Sequence, residues 1–159
     1  IANFKDFLFL NKLYGEYGIA FDLTITTPGL FSLKDLFDLS LELDVHTLIK
    51  TTFAFESSIM MCPQVLPREL FNEVIDDVLD YIKPKIEANP KFGYWITCLE
   101  DLKNRQVFSE KYPDWREGLK SGKERLAKVD KFRRNEGVLD KIYLENNKKV
   151  YDWWKSNLI

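Results

Sequence analysis

Two β-type stretches separated by a helical one constrain this chain more than any other feature. Ile19–Thr27, IAFDLTITT, alternates and is rich in β-branched residues, which reads as a strand. Pro28-Gly29 then breaks the chain. Ser32 and Asp35 predict a capping box for a helix to about Leu43, with Leu33, Leu36, Phe37 and Leu41 on one face. Val45–Phe55, VHTLIKTTFAF, is the second strand candidate. Strand, helix and strand with short links make a βαβ unit, which implies two parallel strands in an α/β fold. Two such strands are a poor sheet, because each leaves an unpaired edge and parallel sheets are normally covered on both faces. The missing strands are expected from an N-terminal portion of the same polypeptide. A sequence that opens on Ile1 and reads as if entered mid-protein agrees with that expectation.

The rest of the pattern is helical. Residues 3–16 carry Phe4, Phe7, Leu8 and Leu13 at helical spacing before Gly15 and Gly18. Beyond Pro67, the stripe Leu70, Phe71, Val74, Ile75, Val78, Leu79 and Ile82 predicts a helix ended by Pro84. Trp95, Cys98, Leu99 and Leu102 predict another over 92–106, Pro113-Asp114 open one to about Arg134, and a last one spans Leu139–Trp154. The chain thus divides into a βαβ unit, 1–66, and a helical extension, 67–159.

With 159 residues, 45% hydrophobic and 14% aromatic, the chain can bury a sizeable core and is expected to fold. A net charge of −2 provides no global attraction to nucleic acid or to an anionic membrane. No apolar run approaches the roughly 18 residues that span a bilayer, and no signal-peptide pattern is present. The expected setting is the cytoplasm, with no membrane partner.

Few residues offer chemistry. Cys62 and Cys98 match no disulfide framework or zinc spacing, and both read as packed thiols. His46 is the only histidine, so a His-rich metal site cannot be built within this chain, and a Ser-His-Asp triad would have to use it. It begins the second strand, away from the usual ligand end, and reads as structural. Glu73, Asp76, Asp77 and Asp80 form an acidic stripe opposite the apolar face of their helix, which reads as solvated surface. Residues 120–134 hold seven basic residues, with Tyr143, Tyr151, Trp153 and Trp154 following. Such helices bind nucleic acid in some proteins and are ordinary surface in more, so nucleic acid is not the expected partner. In open α/β sheets and barrels, ligands bind beyond the carboxyl ends of the strands. Here those ends are Thr26, Thr27, Pro28 and Gly29, then Phe53, Ala54 and Phe55.

The order of segments resembles the C-terminal part of the twitch-domain-containing radical S-adenosylmethionine (SAM) proteins. The likeness lies in Thr24-Ile25-Thr26 leading into Phe31-Ser32-Leu33 and a helix, in Cys62-Pro63-Gln64-Val65-Leu66-Pro67 before a long helix, and in Asp130-Lys131-Phe132-Arg133. Gly29 stands where that family has asparagine, and its Phe-Pro-Glu segment after Arg133 is absent. The resemblance implies that 1–66 is the last βαβ unit of a partial (β/α)6 barrel, and 67–159 a helical cap. It implies SAM and a [4Fe–4S] cluster in the parent protein, the cluster on a CxxxCxxC motif outside this chain. At the strand ends that would face SAM, the residues expected to bind the cofactor are Thr26, Thr27, Gly29, Phe53 and Phe55, with Phe53 and Phe55 either packing against adenine or filling the core. No catalytic residue or metal ligand is expected in this chain, and cleavage of SAM to a 5′-deoxyadenosyl radical is implied for the remainder of the polypeptide. The substrate is not named by the sequence. The alternative is a non-enzymatic α/β-helical module whose basic C-terminal helices contact nucleic acid or a protein.

Overall fold

The structure, a computed structural model, describes residues 2–14, 18–51 and 56–157. Phe53, Ala54 and Phe55 lie outside the described residues. Helix α1 (Ala2–Tyr14) precedes strand β1 (Ala20–Ile25), helix α2 (Leu33–Leu43) and strand β2 (His46–Thr51). The two strands pair in parallel, from Ala20 opposite His46 to Ile25 opposite Thr51. The expected βαβ unit is therefore present.

The α2 crossover is positioned at both ends. Its start differs from expectation: Ser32 makes no side-chain cap, because a 3₁₀ segment, Pro28–Ser32, leads directly into the helix and Leu33 N–H donates to Leu30. Leu33, Phe37, Ser40 and Leu43 recur at helical spacing and are buried. At the other end Asp44 adopts a left-handed conformation (φ 58°, ψ 41°), and Val45 N–H reaches back to Ser40 C=O. This Schellman-type reversal launches β2 immediately. Within the turn, buried Ser40 Oγ lies 2.8 Å from Thr47 Oγ1, tying helix to strand.

The sheet is covered on one face. Phe21, Leu23, Ile25, Thr47 and Ile49 are buried or half-buried, whereas Ala20, Asp22, Thr24, His46, Leu48 and Lys50 are exposed. Leu8 and Phe4 of α1 join Leu39 and Leu43 of α2 against Ile19, Phe21 and Val45, so both helices serve that same covered face. The open face carries a 2.6 Å Asp22–Lys50 ion pair across the two strands.

Six helices follow: α3 (Arg68–Ala88), α4 (Tyr94–Lys103), the single turn α5 (Phe108–Lys111), α6 (Trp115–Arg133), α7 (Val138–Asn146) and α8 (Lys148–Ser156). Helix α3 continues past Pro84, against expectation. Proline removes one hydrogen bond to the preceding turn, but here it is exposed, just ahead of the last turn, in a helix whose Ile82 and Ile86 are buried on either side of it. The expected Leu139–Trp154 helix is two helices. Asn147 is extended (φ −154°, ψ 104°) and its side chain caps α8 by accepting from Val150 N–H.

One core runs from the βαβ unit into the helices. Ile25, Leu30, Leu33 and Phe37 belong to the same buried cluster as Phe71, Ile75, Trp95, Leu99 and Trp154. Phe37 meets Trp95 edge to face at 5.3 Å. Among the described residues no helix is long and apolar enough to cross a membrane.

Candidate functional site

The carboxyl end of β1 is built by Thr26-Thr27-Pro28-Gly29, and the three site residues there do different work. Thr26 acts as a helix cap: its Oγ1 accepts from Gly29 N–H at 3.1 Å, and its carbonyl accepts from Leu30 N–H at 3.0 Å. Gly29 is fitted to that cap, since a Cβ there would lie 2.9 Å from Thr26 Oγ1. The absent side chain makes room for the threonine.

Thr27 points the other way. It is 1% exposed, its N–H donates to Met61 C=O at 2.9 Å, and its hydroxyl has no hydrogen-bond partner among the described residues. A buried hydroxyl without a partner costs about 1–3 kcal/mol. The bond to Met61 joins the loop after β1 to the loop after β2, so both strand ends open into one region. Gln64, in the second loop, is 3% exposed and its Oε1 is likewise unpartnered among the described residues. Tyr143 of α7, whose ring meets Phe31 at 5.9 Å, is the third such group, with its hydroxyl pushed up by burial and then by Asp140. Neither Gln64 nor Tyr143 is marked out as a site residue by the sequence pattern. Gln64 is nevertheless the one polar residue within the apolar CPQVLP run, a signal that could have found it.

Comparison with family models, with curated proteins and with solved structures finds no match.

Of the remaining candidates, Cys62 belongs to this same loop, between Met61 and Gln64, whereas His46 and Cys98 lie elsewhere. His46 begins β2 and stacks on Tyr94, ring centroids 4.3 Å apart. Cys62 is fully buried, and Cys98 lies half-buried on α4 with its thiol pushed up by burial and by Asp101. No group of three or more potential metal-binding side chains exists among the described residues, so a [4Fe–4S] cluster does not fit them.

The acidic stripe of α3 is solvated, as expected: Glu73, Asp77 and Asp80 are exposed and Asp76 is half-buried. Glu73, Asp76, Asp77 and Asp80 line a groove of about 710 Å³ with Leu30 and Phe31. Three of the carboxylates are neutralised: Glu73 by Lys149, Asp76 by Lys103 and Asp77 by Lys34. The basic run of α6 is interrupted in turn, because Lys123 is buried and donates to Trp154 C=O.

Proposed function

We propose that this chain is the C-terminal part of a radical SAM enzyme of the twitch-domain type. It would supply the last strands of a partial (β/α)6 barrel and a helical cap. The observation that carries the reading is the one-sided sheet: α1 and α2 cover the same face of two parallel strands and leave the other exposed, apart from His46 against Tyr94. A barrel wedge has this form, its helices outside and its open face turned to the interior. The unpaired strand edges are then completed by the remainder of the polypeptide, which also holds the cluster.

SAM, when bound in such a barrel, supplies the radical chemistry; the share of this chain is binding. Thr27 is assigned that role as a buried donor at the strand end whose hydroxyl has no partner among the described residues. Thr26 and Gly29 shape the loop that holds it. Phe53 and Phe55, which lie outside the described residues, keep the role expected of them from the sequence. The binding-module alternative calls for a continuous basic face, whereas Lys123 is buried and Lys149 and Lys155 are paired with Glu73 and Asp140.

The test is calorimetry on the full-length parent carrying Thr27→Val. Removing an unpartnered buried hydroxyl should leave the melting temperature unchanged or higher, while SAM affinity falls roughly tenfold. Unchanged affinity with the fold intact would remove Thr27 from the site. A parent lacking three cysteines at CxxxCxxC spacing upstream would end the radical SAM reading itself.

A further inference from the structure

Between α6, α7 and α8 lies a pocket of about 350 Å³ whose walls include Lys123, Leu126, Leu139, Asp140 and Trp154. Lys123 is 7% exposed, an unusual state for a lysine without a carboxylate partner. Its Nζ donates to the backbone carbonyl of Trp154 and stands 4.0 Å from the centre of that residue's ring. Asp140 is close enough to act on it electrostatically, but both carboxylate oxygens are engaged, one by Trp154 Nε1 at 2.7 Å and one by Lys155 Nζ at 2.8 Å. Among the described residues Lys123 therefore has no ion pair: the nearby carboxylate is engaged elsewhere and the second ammonium repels it.

That setting favours the neutral amine. Burial is the main cause and Lys155 adds repulsion, outweighing Asp140 enough to bring Lys123 down to about 8. Roughly one lysine in ten with that value is neutral at pH 7, compared with fewer than about one in a thousand ordinary lysines. A desolvated lysine beside another cation is a recognised form of activated nucleophile. A purely structural role, holding the last turn of α8 through its carbonyl, gains from a cation near the helix C-terminus. The burial works against that gain.

We propose that Lys123 captures small uncharged aldehydes as an imine. The Nζ lone pair adds to the carbonyl carbon, amine protons pass to the oxygen, and loss of water leaves the C=N bond, with no oxidant or reductant required. The fixed carboxylate of Asp140 then stands beside the imine nitrogen when that takes a proton from solvent. The pocket selects the class: Leu126, Leu139 and Trp154 supply an apolar wall for the aldehyde's body. The remaining charges, Asp130, Lys131 and Glu136, are mixed in sign and offer no cation cluster for a phosphate tail. This inference is independent of the radical SAM reading, and no residue of the strand-end loops lines this pocket.

The experiment treats the full chain with limiting benzaldehyde and cyanoborohydride at pH 7 and maps benzylated lysines by mass spectrometry. Lys123 should be labelled roughly a hundredfold ahead of the exposed lysines, its lead reflecting the larger neutral fraction. Its rate should level off above about pH 8. Lys123→Met should abolish the early label and leave the slow ones in place. Labelling in order of exposure, with Lys123 among the last, would overturn the proposal, and the wild-type map alone distinguishes the two outcomes.

Discussion

The helical half and the strand half of this molecule use apolar residues differently. In α3 and α4, Phe71, Ile75, Ile82, Trp95, Leu99 and Leu102 are at most 1% exposed. Around the strands, Phe7, Phe9, Leu10, Leu13 and Leu48 remain 48–62% exposed. The helical half does expose Phe132 and Leu144, but its buried cluster is continuous. The difference follows from where each element finds its hydrogen bonds. A helix satisfies its backbone internally and needs a partner only for one stripe, which the neighbouring helices provide. A strand needs neighbours on both edges and, in a parallel sheet, cover on both faces. Here β1 and β2 have one neighbour each and cover on one face among the described residues.

Mutations should separate the halves by size of effect. Trp95→Ala removes a ring with no exposure and should cost about 3–5 kcal/mol in denaturant unfolding, whereas Leu48→Ala on the open face should cost about 0.5 or less. Comparable losses at the two sites would mean that the open face is covered in solution. The next effect tests how much polarity the helical half tolerates. Lys123 falls from the usual 10.5 to about 8 on folding, so between these values the unfolded chain holds a proton that the folded chain has released. Stability should therefore rise with pH across that window, by about 2 kcal/mol up to pH 10, and this rise should vanish in Lys123→Met. Above about pH 10 the raised value of Tyr143 acts in the opposite sense, because the unfolded chain loses that proton first. The smallest effect belongs to the strand end. Gly29→Ala should cost about 1 kcal/mol through the contact with Thr26 Oγ1, and far less when introduced into a Thr26→Ala chain that has already lost the cap. A full penalty in the double variant would locate the crowding elsewhere.

The sequence revealed the elements better than their junctions. Alternation in IAFDLTITT exposes both strand and facing: Phe21, Leu23 and Ile25 are covered while Asp22 and Thr24 are exposed. The apolar stripe of α3 appears in the folded chain as read. Pro84 misled because it sits on the exposed side of α3 while the apolar stripe continues past it to Ile86. Asn147 is hard to see in the sequence because its capping bond, not its spacing, divides α7 from α8. Long-range partners were illegible. Lys123 looks like one more solvated base in KSGKERLAKVDKFRR until Trp154, 31 residues later, is placed against it. At the candidate site, Thr26 and Thr27 are adjacent and chemically identical, yet one caps a turn and the other is buried, a distinction set by the loop after β2. Phe53 and Phe55 lie outside the described residues.

The bond from Thr47 N–H to the Tyr94 hydroxyl, 2.7 Å long, has a consequence for how this sheet can grow. A strand N–H that donates to α4 is turned away from β1, so the hydroxyl occupies a position on the outer margin of β2. Alternation turns the N–H of Ile49 the same way. Any strand added along that margin must begin beyond the tyrosine, which sets its registration before a side chain of the incoming strand is consulted. The same hydroxyl shortens the template offered to a stray chain, and so guards a naked margin against runaway stacking.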